Sequence, residues 1–361
     1  MNQPLKVIFY VKYPYYFPHF LPISKELINQ GHEVHYLLSE KQNTQLMIKI
    51  SQENNLNYLI GDEKLFELKA DYIIHAAIFK ESKKLQAKSI FMDHGVGTKH
   101  CDYESALHFN DLVLVEGDYR YHSLQNKFPD HKTKIHKVGF SKLDMAVNDK
   151  EDLKQHYFTK YNLDKRKKTI LYAPTFFPSS IEKMEDNFPD DFKKCNIIVK
   201  PHYLSLSRSK YRNQVKKFNK WEKYDNCVVC DVDEYNLVPF LSIADLMISD
   251  ESSAIFEFTA LNKPVILNRF LKLRWSYYLN PNKLLKRLDS DIELYRQIGE
   301  NAQNYQEMVE QVNSNLKNPE KFEKSRIEYT KEIVGLVDGQ VSIRIIELLK
   351  NHQKREKLDE L

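Results

Sequence analysis

An α/β architecture of two Rossmann-like domains facing across a cleft, with a helical C-terminal segment, is the fold class this sequence predicts. Three observations lead there. Strand-like apolar runs alternate with helical segments in two successive series. A charged break around residues 145–167, ending in Lys165-Arg166-Lys167, separates the two. The 361 residues exceed what one ordinary core organises and suit two. The expected boundaries are 1–150 and 165–335 for the domains, with a C-terminal helix over 336–361 that packs on either one.

The first series opens with LKVIFYV (5–11), a buried-strand candidate, and continues into the Pro- and aromatic-rich loop KYPYYFPHFLP. ISKELINQG (23–31) has helical spacing and ends on Gly31, a residue suited to closing a helix. HEVHYLL (32–38) returns as a strand, which completes a parallel βαβ unit. The theme repeats at DYIIHAAIF (71–79), KSIFMDHG (88–95), DLVLVEGD (111–118) and KIHKVGF (134–140). The second series offers KTILYAPTF (168–176), NIIVKPH (196–202), NCVVCDV (226–232), ADLMISD (244–250) and PVILN (264–268). Beyond residue 281 the chain reads as mostly helical and highly charged.

A net charge of +4 supplies no whole-molecule field for nucleic acid, which is not an expected partner. No signal peptide is read at the N-terminus, and no apolar run approaches the about 20 residues of a membrane span. A cytoplasmic protein is expected, soluble or peripheral on the inner face of the cell membrane. Cys227-Val-Val-Cys230 lies in a β-branched run where positions three apart face opposite ways. Nothing completes a metal set around it, so it reads as a buried strand, and neither metal nor cofactor is expected. Asp231-Val-Asp233 matches a metal-holding DxD pair weakly; Asp233 is expected instead to start the helix of DEYNLVPFLSIA. FLKLRWSYYLNPNKLLKRL (270–288) reads either as a patch for an anionic membrane surface or as a charged helical face.

Ligands of open parallel sheets bind beyond the carboxyl ends of strands, so the residues after each strand are the candidates. In the first half these include His19, and His94 set between Asp93 and Gly95 with Lys99 close behind. Gly95 and Gly97 permit a tight turn and a close backbone approach. An imidazole of near-neutral pKa suits removal of a proton from an attacking hydroxyl. The same pattern also describes a tight turn with a solvated histidine. In the second half the candidates are Thr175, Lys200, His202 and the run Asp250-Glu251-Ser252-Ser253. Ser252 and Ser253 can present a helix N-terminus to phosphate, or can simply cap it. Glu257, about a turn further on, can reach ribose hydroxyls. His202 can donate to a phosphate oxygen, act as an acid, or be an ordinary histidine.

Taken together, these motifs resemble those of the CDP-glycerol glycerophosphotransferase family, the teichoic-acid primases and polymerases. The family's HG-x-x-x-K loop is matched by His94-Gly95 with Lys99, and its ILYAPT strand by ILYAPTF (170–176). Its His-containing turn is matched by KPH (200–202), and its D-Y-S-S-x-x-F-D-F segment and N-K-P turn by DESSAIFEF (250–258) and NKP (262–264). GFSKLD (139–144) and DGQVSIR (338–344) stand for its G-x-P-R-x-D and D-G-x-x-x-x-R. The matched order covers about residues 90–345.

The resemblance implies a GT-B fold with an acceptor-side first domain and a donor-nucleotide second domain. It implies transfer of glycerol phosphate, or a related alditol phosphate, from a CDP-activated donor, with release of CMP. The acceptor would be a hydroxyl of a lipid-linked or polymeric saccharide, a precursor of cell wall or capsule. By the same resemblance His94 deprotonates the acceptor and His202 stabilises the donor pyrophosphate. Ser252 and Ser253 bind phosphates, Asp250 and Glu257 serve the nucleotide end, and Lys99, Thr175 and Lys200 complete the substrate-binding set.

Three positions depart from the family pattern: Glu251 replaces its Tyr, Asp93 its Trp and Lys142 its Arg. The chain lacks a long extra module, so a single-addition enzyme or a short-polymer transferase is expected rather than a processive polymerase. Two other readings share the architecture: a nucleotide-sugar glycosyltransferase with His19 as acceptor-side base, and a non-hydrolysing sugar-nucleotide epimerase. A non-catalytic nucleotide-binding module is a third.

Overall fold

The computed structural model describes residues 3–41, 43–77, 80–97, 103–250, 252–273 and 297–359. Two compact units emerge. The first contains the chain up to Val96, the stretch that ends at Asn148, and the C-terminal stretch from Glu332; the second contains Asp149–Lys331.

The first unit holds a parallel seven-stranded sheet: β1 (Lys6–Val11), β2 (Glu33–Leu38), β3 (Tyr58–Ile60), β4 (Lys69–His75), β5 (Gln86–Met92), β6 (Leu112–Val115) and β7 (Ile135–Lys137). Its spatial order is β3-β2-β1-β4-β5-β6-β7. The second unit holds a parallel six-stranded sheet: β8 (Thr169–Tyr172), β9 (Asn196–Val199), β10 (Cys227–Val229), β11 (Leu246–Ser249), β12 (Val265–Asn268) and β13 (Glu300–Ala302). Its order is β10-β9-β8-β11-β12-β13. In each sheet the chain winds outward from its first strand and then jumps back to that strand's other side. The switch points are β1/β4 and β8/β11, where Tyr10 pairs with His75 and Tyr172 with Ile248. A crevice opens beyond the carboxyl ends of strands at such points.

The central strands are apolar runs because helices cover both faces of a parallel sheet. TILY, NIIV, LMIS and VILN in the second unit are buried at every position. Trp221 anchors that core against Tyr172 and Phe188, with its Nε1–H donated to the Glu185 carbonyl at 3.0 Å.

The first helix begins earlier than its spacing suggests. It runs Phe17–Asn29 and absorbs half of the expected aromatic loop. Pro18 fits a first turn, where a missing N–H costs nothing. Buried Phe17, Phe20, Ile23 and Leu27 lie on one face, and their burial outweighs the hydrogen bond lost at Pro22. The predicted stop holds. Gly31 adopts φ +79° while His32 N–H bonds to Leu27 and Gly31 N–H to Ile28, the paired closure of a helix C-terminus. β3 and β13, of three residues each, are too short to leave a sequence period.

Asp233 does not start a helix: it lies in a turn where Asp231 Oδ1 accepts its N–H, and the helix begins at Val238. Cys227 packs into the core beside Trp221, and burial pushes the thiols of both Cys227 and Cys230 up to about 12. Most of the 270–288 stretch lies outside the described residues, as do Lys99, Cys101 and Glu251. Among the described residues no helix is long and apolar enough to cross a membrane.

The C-terminal helix (Val341–Asp359) belongs to the first unit and buries Ile345, Ile346 and Leu349. Its start is latched. Asp144 accepts the N–H groups of Val341 (3.1 Å) and Ser342 (2.7 Å) and the Ser342 hydroxyl (2.7 Å). Arg344 forks onto Asp338 at 3.0 and 2.8 Å and donates to the Val138 carbonyl at 2.9 Å. Gly139, at φ +100°, has no room for a Cβ, which would lie 2.8 Å from Val341. GFSKLD and DGQVSIR are thus two halves of one latch. Replacing the capping carboxylate, Asp144→Ala, is expected to cost about 2 kcal/mol. It should speed amide exchange at 341–345 ahead of the sheet; uniform exchange across the unit would count against a local latch.

Candidate functional site

In the first unit the groups beyond β1, β4 and β5 converge on His94. Its Nδ1 lies 3.1 Å from Asp93 Oδ1 and 3.4 Å from the Ala76 carbonyl, while Asp93 Oδ1 also accepts the His94 N–H at 2.7 Å. Both oxygens near Nδ1 are acceptors, so Nδ1 carries the ring proton and Nε2 keeps its lone pair. Burial pulls the His94 pKa down, but the hydrogen bond and charge of Asp93 overcome it, and the net shift is upward. The side chain remains 42% exposed. A carboxylate-oriented imidazole whose Nε2 has no hydrogen-bond partner among the described residues has the arrangement of a general base. Gly97 adopts φ +135°, a conformation glycine tolerates readily.

His19 lies on the first turn of the Phe17–Asn29 helix and is only 1% exposed. Phe140 meets it edge-on at 4.9 Å, and Ser141 Oγ donates to its carbonyl at 2.8 Å. Burial first, then the charges of Lys142 and His94, hold its pKa well below the usual imidazole range.

In the second unit the loop after β8 meets the end of β11. Asp250 is fully buried. Its carboxylate accepts Ser179 Oγ (2.9 Å), Ser180 Oγ (2.5 Å), Ser180 N–H (3.3 Å) and Thr175 N–H (3.2 Å). The carboxylate therefore shapes the Thr175–Ser180 loop from within. Burial pushes its pKa up to about 7 against the pull of these hydrogen bonds. Thr175 Oγ1 in turn accepts the Phe177 N–H at 3.2 Å.

His202 caps the short helix Tyr203–Ser207: its Nδ1 accepts the Leu204 N–H at 3.1 Å. Phe176 crowds one face of the ring at 4.7 Å. Burial, Lys200 and Arg208 lower its pKa to about 4. At neutral pH it is an uncharged imidazole whose only N–H, on Nε2, points away from the cap, a hydrogen-bond donor suited to a phosphate oxygen. Ser252 and Ser253 precede the helix Ala254–Thr259, where Ser252 Oγ accepts the Ala254 N–H at 3.3 Å and Ser253 makes no side-chain cap. Glu257 is 2% exposed within that helix. Lys200 follows β9, half-buried, with Nζ 3.4 Å from the Pro201 carbonyl.

The model of one protein family, CDP-Glycerol:Poly(glycerophosphate) glycerophosphotransferase, matches residues 6–351. The chain belongs to this glycerophosphotransferase family. Among curated relatives, a teichoic acid glycerol-phosphate primase of Bacillus spizizenii is 35% identical over 121 residues, 34% of this chain and 29% of its own length. A teichoic acid glycerol-phosphate transferase of Staphylococcus aureus is 23% identical over 266 residues, 66% of this chain and 60% of its own. The aligned stretches thus span less than two thirds of these relatives. A variant of the wall teichoic acid polymerase TagF shares the fold at TM-score 0.73, with 16% identity over 99% of this chain and 90% of that one. S. aureus MnaA, solved with UDP, shares it at TM-score 0.64, with 14% identity over 97% of each chain. The fold is therefore GT-B-like.

Within the family's motifs the structure divides labour. The Lys of NKP is structural: Lys263 Nζ donates to the carbonyls of Leu241, Ser242 and Ala244 at 2.6–2.9 Å, closing the helix Val238–Ile243. Sequence reasoning missed Ser179 and Ser180, which hold Asp250, and did not join Asp93 to His94. Only the polar pair Ser-Ser after ILYAPTFFP hinted at the former.

Asp250 has a measurable consequence. Its folded pKa of about 7 lies above its ordinary 3.8. Its contribution to stability is therefore full below about 4 and is lost as pH rises through about 7. The stability difference between the native chain and Asp250→Asn, from urea midpoints, should shrink from pH 4 to pH 8. A difference independent of pH would show that the carboxyl does not titrate with folding.

Proposed function

We propose that this chain transfers glycerol phosphate, or a related alditol phosphate, from a CDP-activated donor to a hydroxyl of a cell-wall or capsular polymer precursor. The main support is the family match across residues 6–351. In the proposed reaction the acceptor oxygen attacks the phosphorus that bears the alditol. The bond from that phosphorus to the bridging oxygen breaks, and CMP leaves with the bridging oxygen. His94 Nε2 takes the acceptor's proton, and Asp93 stabilises the imidazolium that forms. Neutral His202 donates its Nε2–H to the donor pyrophosphate. The loop from Thr175, shaped by Asp250, lies with Lys200, Ser252 and Ser253 against the donor phosphates, and Glu257 supports the nucleotide end. Such transfer asks mainly for positioning and charge stabilisation.

The nucleotide-sugar alternative needs His19 as base. A ring 1% exposed, with its pKa held well below the usual range, is a poor proton acceptor for a substrate.

CMP and CDP-glycerol should raise the thermal midpoint while UDP-sugars leave it unchanged; the reverse pattern would overturn the donor assignment. His94→Ala is expected to lower kcat by about 10²–10⁴-fold while that stabilisation persists. Removing the carboxylate that raises the His94 pKa, Asp93→Asn, should move the acidic limb of the pH–rate profile to lower pH and reduce the plateau. An unmoved limb would mean that His94 is not the titrating base.

A further inference from the structure

His94 ends a ladder of aromatic rings that the reaction as described does not use. Tyr13 and Tyr15 stack with centroids 5.2 Å apart and planes 6° apart. Tyr15 lies 5.3 Å from the His94 ring, and Tyr16 lies 5.2 Å from it. Lys12 Nζ sits 5.9 Å from the Tyr13 centroid at the outer end. The three tyrosines differ in burial. Tyr16 is a core residue at 2% exposure, packed on Phe20, whereas Tyr13 and Tyr15 are only half-buried.

Core packing accounts for Tyr16 but not for its two neighbours. Parallel rings at this spacing are offset, so they present a stepped apolar surface beside the base. The surface stands at the β1/β4 switch point, where a ligand of this sheet binds.

We propose, resting on the transferase reading above, that Tyr13 and Tyr15 form an acceptor-selecting wall, and that the acceptor they select presents the face of a sugar ring. Two physical reasons favour a ring over a linear polyol phosphate. A pyranose carries a flat patch of C–H bonds that loses water favourably against an aromatic surface and is already rigid, so little conformational entropy is lost on docking. A linear polyol phosphate repeats a negative charge every few atoms, and the face of a tyrosine ring is the negative side of its quadrupole. The rings therefore favour the first class, and Lys12 beside Tyr13 offsets only part of the repulsion of the second. Tyr13 and Tyr15 bind and orient the ring; the proton transfer stays with His94.

The test uses the full chain, CDP-glycerol as donor, and two acceptors: a pyranoside disaccharide and a glycerol phosphate oligomer. Turnover with the disaccharide is expected. Tyr13→Leu and Tyr15→Leu should each raise its KM about tenfold while kcat stays within about twofold. Tyr15→Phe should restore the KM lost in Tyr15→Leu, because stacking needs the ring and not the hydroxyl. Turnover of the oligomer alone, or a disaccharide KM unmoved by both leucine variants, overturns the wall. If CDP-glycerol neither stabilises the chain nor yields CMP with any acceptor, the transferase reading fails, and saturation-transfer NMR of the disaccharide without donor still decides the wall. Contact signals lost in the leucine variants support it, and signals absent from the native chain refute it.

Discussion

A carboxylate with no exposure to water, Asp250, is the constraint on which the loop after β8 depends. It ends β11 at the switch point and gathers two serine hydroxyls and two backbone N–H groups from the loop that leaves β8. Burying a carboxyl is costly unless its oxygens are occupied, so the loop cannot leave without exposing an unpaired buried acceptor. Asn268, at the end of β12, adds a donor to Ser180 Oγ at 3.1 Å, and Tyr172 pairs with the same hydroxyl at 2.8 Å. The network extends across three neighbouring strands. Phe176, carried on the same loop, then sets the face of His202.

His94 in the first unit and His202 in the second are tuned in opposite directions by their nearest groups. At His94 oxygens face Nδ1, so the proton sits there and Nε2 is left as an acceptor. At His202 a backbone N–H faces Nδ1, so the proton sits on Nε2 and the ring is a donor. Asp93 raises the first pKa; burial and two cations lower the second to about 4. The same residue type is thus held as one tautomer in the first unit and as the other in the second.

Several residues of the family's motifs hold elements of the fold together. Asp144 and Arg344 latch the C-terminal helix to the first unit, and Lys263 closes a helix through three carbonyls. Asn262, in the left-handed conformation, links Glu323 and the buried Arg326, which donates onward to the Lys321 and Pro319 carbonyls. Some of these contacts are local in sequence, but Asp144 and Ser342 lie 198 residues apart.

By itself the sequence determined the two α/β series, most buried strands, the stop at Gly31 and the positions that follow each strand. Those features come from local physics: apolar runs, turn residues and the periodicity of side chains. It also placed His94, His202 and Thr175 beyond strand ends, because strand ends are legible once strands are. Tertiary structure decided the rest. Phe17–Pro22 became helix because its aromatic face is buried, β3 and β13 formed only as edges against existing strands, and Asp250 turned inward to serve a loop 70 residues away. Adjacency in sequence could not tell that Asp93 touches His94, nor that Tyr13 and Tyr15 stack beside it. Which oxygen or ring meets an imidazole depends on how distant strands pair, and that is fixed only when the sheet closes.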